Sequence, residues 1–211
     1  MENSIKYSIL DKDRKNILPQ LIHFKKSFYL AGGTALALQI GHRYSIDFDY
    51  FTHADFDNNE LFSKIEKLFV TYEIKQIQNA HNTLSVLLNQ KIKFSFFKIS
   101  DTNVLPLIDT RYFFLLSAKE IAVMKLAALL RAAYRDYVDL YYLFHEYFLQ
   151  DIFELAKKKY KNFDEGVYLK CLLSYDDVTM SPIRFKKGFE VTPRQIFSFI
   201  KKTTATYLKS L

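Results

Sequence analysis

Two glycines, Gly32 and Gly33, and two aspartates, Asp47 and Asp49, are the residues whose types and spacing most clearly indicate chemistry. Two carboxylates a few ångströms apart repel each other unless a cation lies between them. Carboxylate oxygens suit Mg²⁺ that is also held by substrate phosphates. Consecutive glycines at the start of a helix allow backbone N–H groups to approach a phosphate. The combination predicts phosphoryl or nucleotidyl transfer.

The elements that would position these residues can be read from the local pattern. The apolar run 28–31 predicts a short strand, the glycines a tight turn, and the following segment a helix that ends at Gly41. A second strand is predicted over residues 46–51, and because strand side chains alternate, Asp47 and Asp49 share one face. Ile46, Phe48 and Tyr50 are expected on the other face. The competing interpretation is an ordinary strand–helix–strand unit with a solvated acidic strand end.

The segment Gly32-Gly33-Thr34, followed by Arg43-x-Ser45-x-Asp47-Phe48-Asp49, resembles the nucleotidyltransferases of the DNA polymerase beta superfamily. Within that superfamily it is similar to the AbiEii/AbiGii toxins of abortive-infection, type IV toxin–antitoxin systems. The resemblance implies an enzyme that uses Mg²⁺ or Mn²⁺ and a nucleoside triphosphate, with Asp47 and Asp49 as catalytic metal ligands. The implied nucleotide-binding residues are Gly32, Gly33, Thr34, Arg43, Ser45 and Lys125. A side chain at Gly33 is expected to block the phosphate and to strain a backbone of positive φ.

A second informative stretch lies further along the chain. Ser117 and Glu120 are spaced as a capping box, which opens an almost entirely apolar helix that carries Lys125. The resemblance implies that Lys125 contacts phosphates, whereas the alternative is a lysine paired with a structural carboxylate. The segment Arg135-Asp136-x-x-Asp139-Leu140 also matches the family, which implies that Asp136 takes part in catalysis. Asp136 could instead be a helix N-cap, and Arg135 and Asp139 a surface ion pair.

An expected acidic residue is missing from a later strand. Many members of the superfamily place a third metal carboxylate there, and the corresponding residue of this chain is Ser95. Asp101 and Asp109 are near enough in sequence to substitute for it, although nothing marks either as a ligand. The substitution keeps open a second hypothesis, in which the protein binds nucleotides without catalysing transfer.

Composition places limits on the class of protein. A chain of 211 residues can form one domain or two small ones. The formal net charge of +7 favours contact with a polyanion without proving it. No run approaches the ~18 apolar residues of a membrane span, and the first residues carry no apolar signal region. We therefore expect neither a membrane segment nor export, and the single cysteine, Cys171, fits a reducing cytoplasm.

Together, pattern and resemblance predict an α/β fold with a polymerase-beta-like mixed sheet and flanking helices in residues 1–110. A helical C-terminal half is expected in residues 111–211. The nucleotide is expected to bind in a cleft between the two parts. Further strands are predicted over 72–78, 83–88 and 92–99, with a hairpin turn at Asn89 and Gln90 between the last two. A helix is expected to begin at an N-cap, Asn58 or Asn59, and further helices over 152–160, 165–173 and 193–208. The resemblance also implies an acceptor, either RNA (such as tRNA) or a protein, and a cognate antitoxin.

Overall fold

The computed structural model describes residues 5–211 and divides the chain into two units. Residues 1–4 lie outside the described part of the chain. They belong to the N-terminal segment in which no export signal is expected. The first unit comprises the chain up to Thr102 together with Pro106–Leu116, and the second comprises Asn103–Leu105 and Ser117–Leu211. The main division thus falls at Leu116, beyond the boundary at residue 110 expected from the sequence. Within residues 5–211, none of the helices combines the length and the apolar character needed to cross a bilayer.

The first unit is built on a mixed sheet of seven strands in the order β3-β4-β5-β2-β1-β7-β6. The strands are β1 (Tyr29–Ala31), β2 (Asp47–Thr52), β3 (Ile74–Ala80), β4 (Thr83–Leu88), β5 (Ile92–Lys98), β6 (Ile108–Asp109) and β7 (Phe114–Leu115). At its centre β2 runs antiparallel to β1 and parallel to β5. The helices of this unit are α1 (Lys12–Asn16), α2 (Leu18–Leu21), α3 (Gly32–Ile40) and α4 (Asn58–Leu68).

One face of this sheet forms the core of the unit. Tyr50 of β2 and Phe94 and Phe96 of β5 are fully buried, and the ring of Phe24 lies 5.2–6.3 Å from their rings. Phe69, just after α4, covers the same side at 5.6 Å from Phe94. Each such aromatic side chain removes a large apolar area from water, which is the main favourable term in folding. The opposite face of the sheet carries Asp47 and Asp49 and is called the aspartate face below.

Several local predictions for the first unit are confirmed. Gly41 ends α3 in the left-handed conformation, with φ of 81°. The β4–β5 hairpin turns at Asn89 and Gln90, whose φ values of 46° and 55° suit a tight hairpin turn. The predicted cap of α4 was wrong, because the side chain of Asp57, rather than Asn58 or Asn59, accepts the first N–H groups. Ile46 was also misplaced, since it precedes β2 and is 54% exposed.

The second unit is helical in most of its length. Its helices are α5 (Ala118–Ala128), α6 (Tyr134–Glu146), α7 (Leu149–Lys159), α8 (Glu165–Leu173) and α9 (Pro193–Leu208), and a 3₁₀ turn, Leu129–Arg131, follows α5. A complete capping box at Thr192 opens α9, with Pro193 at its first position. The predicted combination of a mixed sheet with flanking helices and a helical C-terminal half is therefore confirmed.

The start of α5 differs from the predicted capping box. Ser117 caps the helix by accepting from the backbone N–H of Glu120, but the Glu120 carboxylate turns away from the helix. It accepts from the N–H groups of Val104 and Leu105, at 3.0 Å each, and pairs with Lys159 at 2.8 Å. Glu120 is completely buried and the Lys159 side chain nearly so. This carboxylate therefore fixes residues 103–105 to the rest of the second unit.

Candidate functional site

The glycine turn lies against the carboxylate of Asp49. β1 ends at Ala31 and α3 begins at Gly32, whose φ of 69° is a left-handed conformation that favours glycine. A methyl group placed on Gly32 would come within 3.0 Å of Oδ2 of Asp49. The positive φ expected at Gly33 therefore belongs to Gly32. The turn brings the start of α3, with its unsatisfied N–H groups, to the aspartate face.

Gly33 leaves space for the side chains that follow α3. A methyl group at Gly33 would lie 2.6 Å from Nη2 of Arg43 and 3.4 Å from Oγ of Ser45. The Arg43 side chain is buried, so its guanidinium brings a positive charge to the glycine turn. Thr34 is also buried, and its hydroxyl donates to the carbonyl oxygen of Asp47 and lies 2.8 Å from Oγ of Ser45. Thr34 thus fixes the start of β2 beside the turn.

Asp47 and Asp49 share the aspartate face, as predicted. Both are half-buried, whereas Phe48 between them is fully buried in the core. Within residues 5–211, no side chain pairs with the carboxylate of Asp47. Two adjacent carboxylates, at least one of which has no counter-charge from the described protein, are suited to a divalent cation. The residues present therefore fit Mg²⁺ or Mn²⁺.

Ser95 is the residue at which the family resemblance predicts a third metal carboxylate. It pairs in register with Asp49 across parallel strands β2 and β5, so both side chains project from the aspartate face. In the part of the chain that the structure describes, no group of three or more His, Cys, Asp or Glu could hold a metal ion. Asp109 forms an ion pair with Lys25 at 2.5 Å, and neither it nor Asp101 joins the two aspartates in such a group.

Lys125 and Asp136 form a separate cluster in the second unit. Nζ of Lys125 lies 2.7 Å from Oδ1 of Asp136 and 2.6 Å from Oδ2 of Asp139, and all three side chains are buried. Arg131 binds the same carboxylate in a two-point arrangement, with its Nε 2.7 Å from Oδ2 and its Nη2 2.8 Å from Oδ1 of Asp136. Two cations thus face two carboxylates.

This arrangement excludes the alternative in which Asp136 is a helix N-cap. The N-cap of α6 is Ala133, so Asp136 lies inside the first helical turn and caps nothing. Asp139 pairs with Lys125 from the preceding helix, which differs from a surface pair with exposed Arg135. Cations contact both oxygens of Asp136, so its carboxylate is placed to position Lys125 and Arg131. The roles of Lys125 and Asp136 in nucleotide binding and catalysis stay predictions.

Arg131 was not expected to take part in this cluster. It precedes Asp136 by five residues, a spacing that does not align side chains along one α-helix. The contact arises because the 3₁₀ turn is followed by Ala132 in a left-handed conformation, with φ of 49°. A non-glycine residue rarely adopts that conformation, so the sequence carries no signal for the turn that brings Arg131 to Asp136.

The chain matches the model of a known protein family over most of its length. The family model described as "Nucleotidyl transferase AbiEii toxin, Type IV TA system" matches residues 17–203. A curated protein of Aquifex aeolicus (strain VF5), described as uncharacterised, is 32% identical over 216 residues, which cover 95% of this chain and 98% of that protein. The matched span contains both the glycine–aspartate motifs and the cluster around Lys125.

Two solved structures resemble the fold over nearly the whole chain. JHP933 from Helicobacter pylori has a TM-score of 0.59 at 15% identity, covering 99% of this chain and 95% of that chain. A second H. pylori structure, described as a proposed nucleotidyltransferase, has a TM-score of 0.56 at 16% identity, covering 96% and 97%. At these identities the similarity concerns the fold alone.

Proposed function

Because the chain belongs to the AbiEii nucleotidyltransferase toxin family, we propose that it transfers a nucleoside monophosphate from a nucleoside triphosphate in a Mg²⁺-dependent reaction. The family predicted from the motifs at Gly32 and Asp47 is confirmed, and membership supports a nucleotidyltransferase-type activity. The observation that carries the finer proposal is the convergence of Asp49, Arg43 and Ser45 on the Gly32–Gly33 turn.

Each residue of this turn has a role that follows from its position. The N–H groups at the start of α3 bind phosphate oxygens, and Gly33 leaves room for the Arg43 guanidinium beside them. The buried Arg43 guanidinium offsets phosphate charge beside Gly33. Asp47 and Asp49 would hold the divalent ion, which supplies charge stabilisation at the phosphate under attack. Thr34 positions Ser45 and the start of β2.

The acceptor belongs to the same proposal. RNA, including tRNA, or a protein side chain supplies the hydroxyl that receives the nucleotide, and the reaction takes place in the cytoplasm. The family description names a type IV toxin–antitoxin system, and on this ground we propose a toxin whose action arrests growth in abortive infection, together with a cognate antitoxin.

The proposal is tested by incubating the protein with each labelled nucleoside triphosphate, Mg²⁺ and either total RNA or a protein extract. We expect label to enter one acceptor fraction with wild-type protein and the signal to disappear with Asp47→Asn. Asp177→Asn is the matched control, because it makes the same change at an exposed turn of the second unit. Equal labelling by wild-type protein and Asp47→Asn would contradict the assignment of the metal site.

A second candidate function is nucleotide binding without transfer. Ser95 favours it, because a serine hydroxyl cannot supply the charge of a third carboxylate beside Asp49. The two functions differ in whether the protein transfers label to an acceptor. A wild-type protein that binds nucleoside triphosphate with Mg²⁺ and labels neither RNA nor protein is a binding protein.

A further inference from the structure

A continuous row of aromatic side chains crosses the aspartate face beside the candidate site. Tyr29 of β1, Phe51 of β2 and Phe97 of β5 are paired in register, so their side chains leave the same face of the sheet. The ring centroids of Tyr29 and Phe51 are 6.1 Å apart, and those of Phe51 and Phe97 are 5.4 Å apart. The exposed His53 extends the row, with its ring 5.7 Å from that of Tyr29.

A polar row runs parallel to these rings, one step closer to the glycine turn. Asp49, Ser95 and Ser85 follow each other across β2, β5 and β4, and Gln78 of β3 continues the row. Ser85 donates to Gln78 at 3.3 Å. Ser95 is only 1% exposed, yet within residues 5–211 its hydroxyl has no hydrogen-bond partner. A buried hydroxyl without a partner is unfavourable, and such groups in native structures usually have one.

We propose that these two rows form the nucleoside subsite of the enzyme, with Ser95 bonded to the sugar and the aromatic row in contact with the base. This inference rests on the proposed function, because it takes the phosphates to lie at the Gly32–Gly33 turn beside Asp49. Phe51 follows Asp49 on the same strand face, about 6.8 Å away by strand geometry. A ribose spans a separation of this order between phosphate and base.

The chemistry of the two rows fits a nucleoside better than a purely apolar ligand. Aromatic side chains bind nucleobases through their π-systems with little dependence on base identity. Half-buried Phe51 and Phe97 therefore predict weak discrimination among the four bases. The Ser95 hydroxyl can donate to or accept from a sugar hydroxyl. Serine at this position is thereby explained by its contact with substrate, instead of as a lost metal ligand.

The experiment compares two ligands in the presence of Mg²⁺: nucleoside triphosphates and inorganic triphosphate, which lacks the nucleoside. By calorimetry, we expect Phe51→Leu to raise the Kd of nucleoside triphosphates about tenfold and to leave that of inorganic triphosphate unchanged. Ser95→Ala should act in the same direction. Phe62→Leu is the matched control, because Phe62 is a half-buried phenylalanine of α4, and it should change neither Kd.

Each outcome decides between the alternatives. If Phe51→Leu raises the Kd of both ligands equally, or changes the Kd of neither, the nucleoside subsite is overturned. If Phe51→Leu melts at a lower temperature than wild-type protein, Phe97→Leu makes the same test from the next strand. Wild-type protein that binds inorganic triphosphate as tightly as nucleoside triphosphates keeps the proposed phosphate site and overturns this subsite. Wild-type protein that binds neither ligand overturns the proposed function itself.

Discussion

Asp47 and Lys125 are charged side chains that differ in whether the protein supplies an opposite charge. Asp47 is half-buried, and the described residues supply no counter-charge to its carboxylate. Lys125 is buried and makes two ion pairs, with Asp136 and Asp139. A carboxylate without a protein partner contributes little to folding and is suited to a ligand. A fully paired buried lysine belongs to the fold, whatever else it does.

The first prediction follows for Asp47. Asp47→Asn removes a negative charge that repels Asp49 and breaks no ion pair among the described residues, so the melting temperature should stay within a few degrees of the wild-type value. The rise in melting temperature caused by Mg²⁺ with nucleoside triphosphate should be lost, because ligand binding stabilises the native state only when the ligand binds. Differential scanning fluorimetry measures both quantities. Wild-type stabilisation by this ligand pair in Asp47→Asn would remove Asp47 from the metal site.

The second prediction concerns Lys125. Lys125→Met leaves the buried Asp139 without its lysine partner, and breaking a buried ion pair from one side costs about 3–5 kcal/mol of unfolding free energy. Lys119→Met is the matched control on the same helix, because its partially exposed pair with Asp151 should be worth at most about 1 kcal/mol. Urea denaturation measures the difference. Lys125→Met with wild-type stability would show that the pairing is incidental, and a role in binding phosphate would then gain support.

The two residues of the glycine turn are needed for different reasons, one for its backbone conformation and the other for its small size. Gly32 has a positive φ, so an added side chain strains the backbone by about 1–2 kcal/mol. Gly33 has no positive φ, and there an added methyl group meets the Arg43 guanidinium at 2.6 Å. The first glycine is therefore needed for the turn, and the second for the position of Arg43.

The third prediction uses this pair of glycines. Gly33→Ala should displace the Arg43 guanidinium from the glycine turn, so binding of inorganic triphosphate should weaken at least tenfold while unfolding free energy stays near the wild-type value. Gly32→Ala should lower the unfolding free energy by about 1–2 kcal/mol. Calorimetry of binding and urea denaturation of both variants make the test. If Gly33→Ala binds inorganic triphosphate normally, the turn is only a connection between β1 and α3.

The fourth prediction concerns the start of α5. Glu120→Gln should lower the unfolding free energy by about 3–5 kcal/mol, because it breaks the buried ion pair with Lys159 and weakens two hydrogen bonds to residues 103–105. Glu154→Gln makes the same change on the exposed surface of α7 and should cost less than about 0.5 kcal/mol. Urea denaturation of the two variants compares them. Similar values for both would mean that Glu120 merely fills space.

The elements around the site were predictable because short-range rules determine them. Alternation along β2 placed Asp47 and Asp49 on one face, and Gly41 marked the end of α3. The hairpin turn includes Asn89, a residue type that tolerates positive φ. These features depend on neighbours within a few residues, which a sequence displays directly.

The features that the sequence did not predict depend on distant residues or on very short elements. β6 and β7 have two residues each, too few for any periodicity. Glu120 pairs with Lys159, 39 residues away. The Asp136 cluster depends on the left-handed conformation of Ala132, an unexpected residue for it. In each case tertiary packing determines the geometry, and the local sequence propensity gives no indication of it.

The positive charge is unevenly distributed between the two units. The second unit carries 16 Lys and Arg against 11 Asp and Glu, and the first carries 14 against 12. On α9, Lys201 and Lys202 are exposed. An RNA acceptor would release counterions from its phosphates on meeting such a surface, whereas a protein acceptor need not.

The fifth prediction uses this difference to identify the acceptor. If RNA receives the nucleotide, transfer at limiting RNA should fall at least tenfold between 50 and 200 mM salt, because each phosphate contact contributes a slope of about −0.7 in log K against log salt. Replacing both Lys201 and Lys202 by Gln should flatten that slope, and Lys75→Gln, an exposed change in the first unit, should not. Label transfer over a salt series makes the measurement. A rate that is independent of salt, in all variants, would point to a protein acceptor.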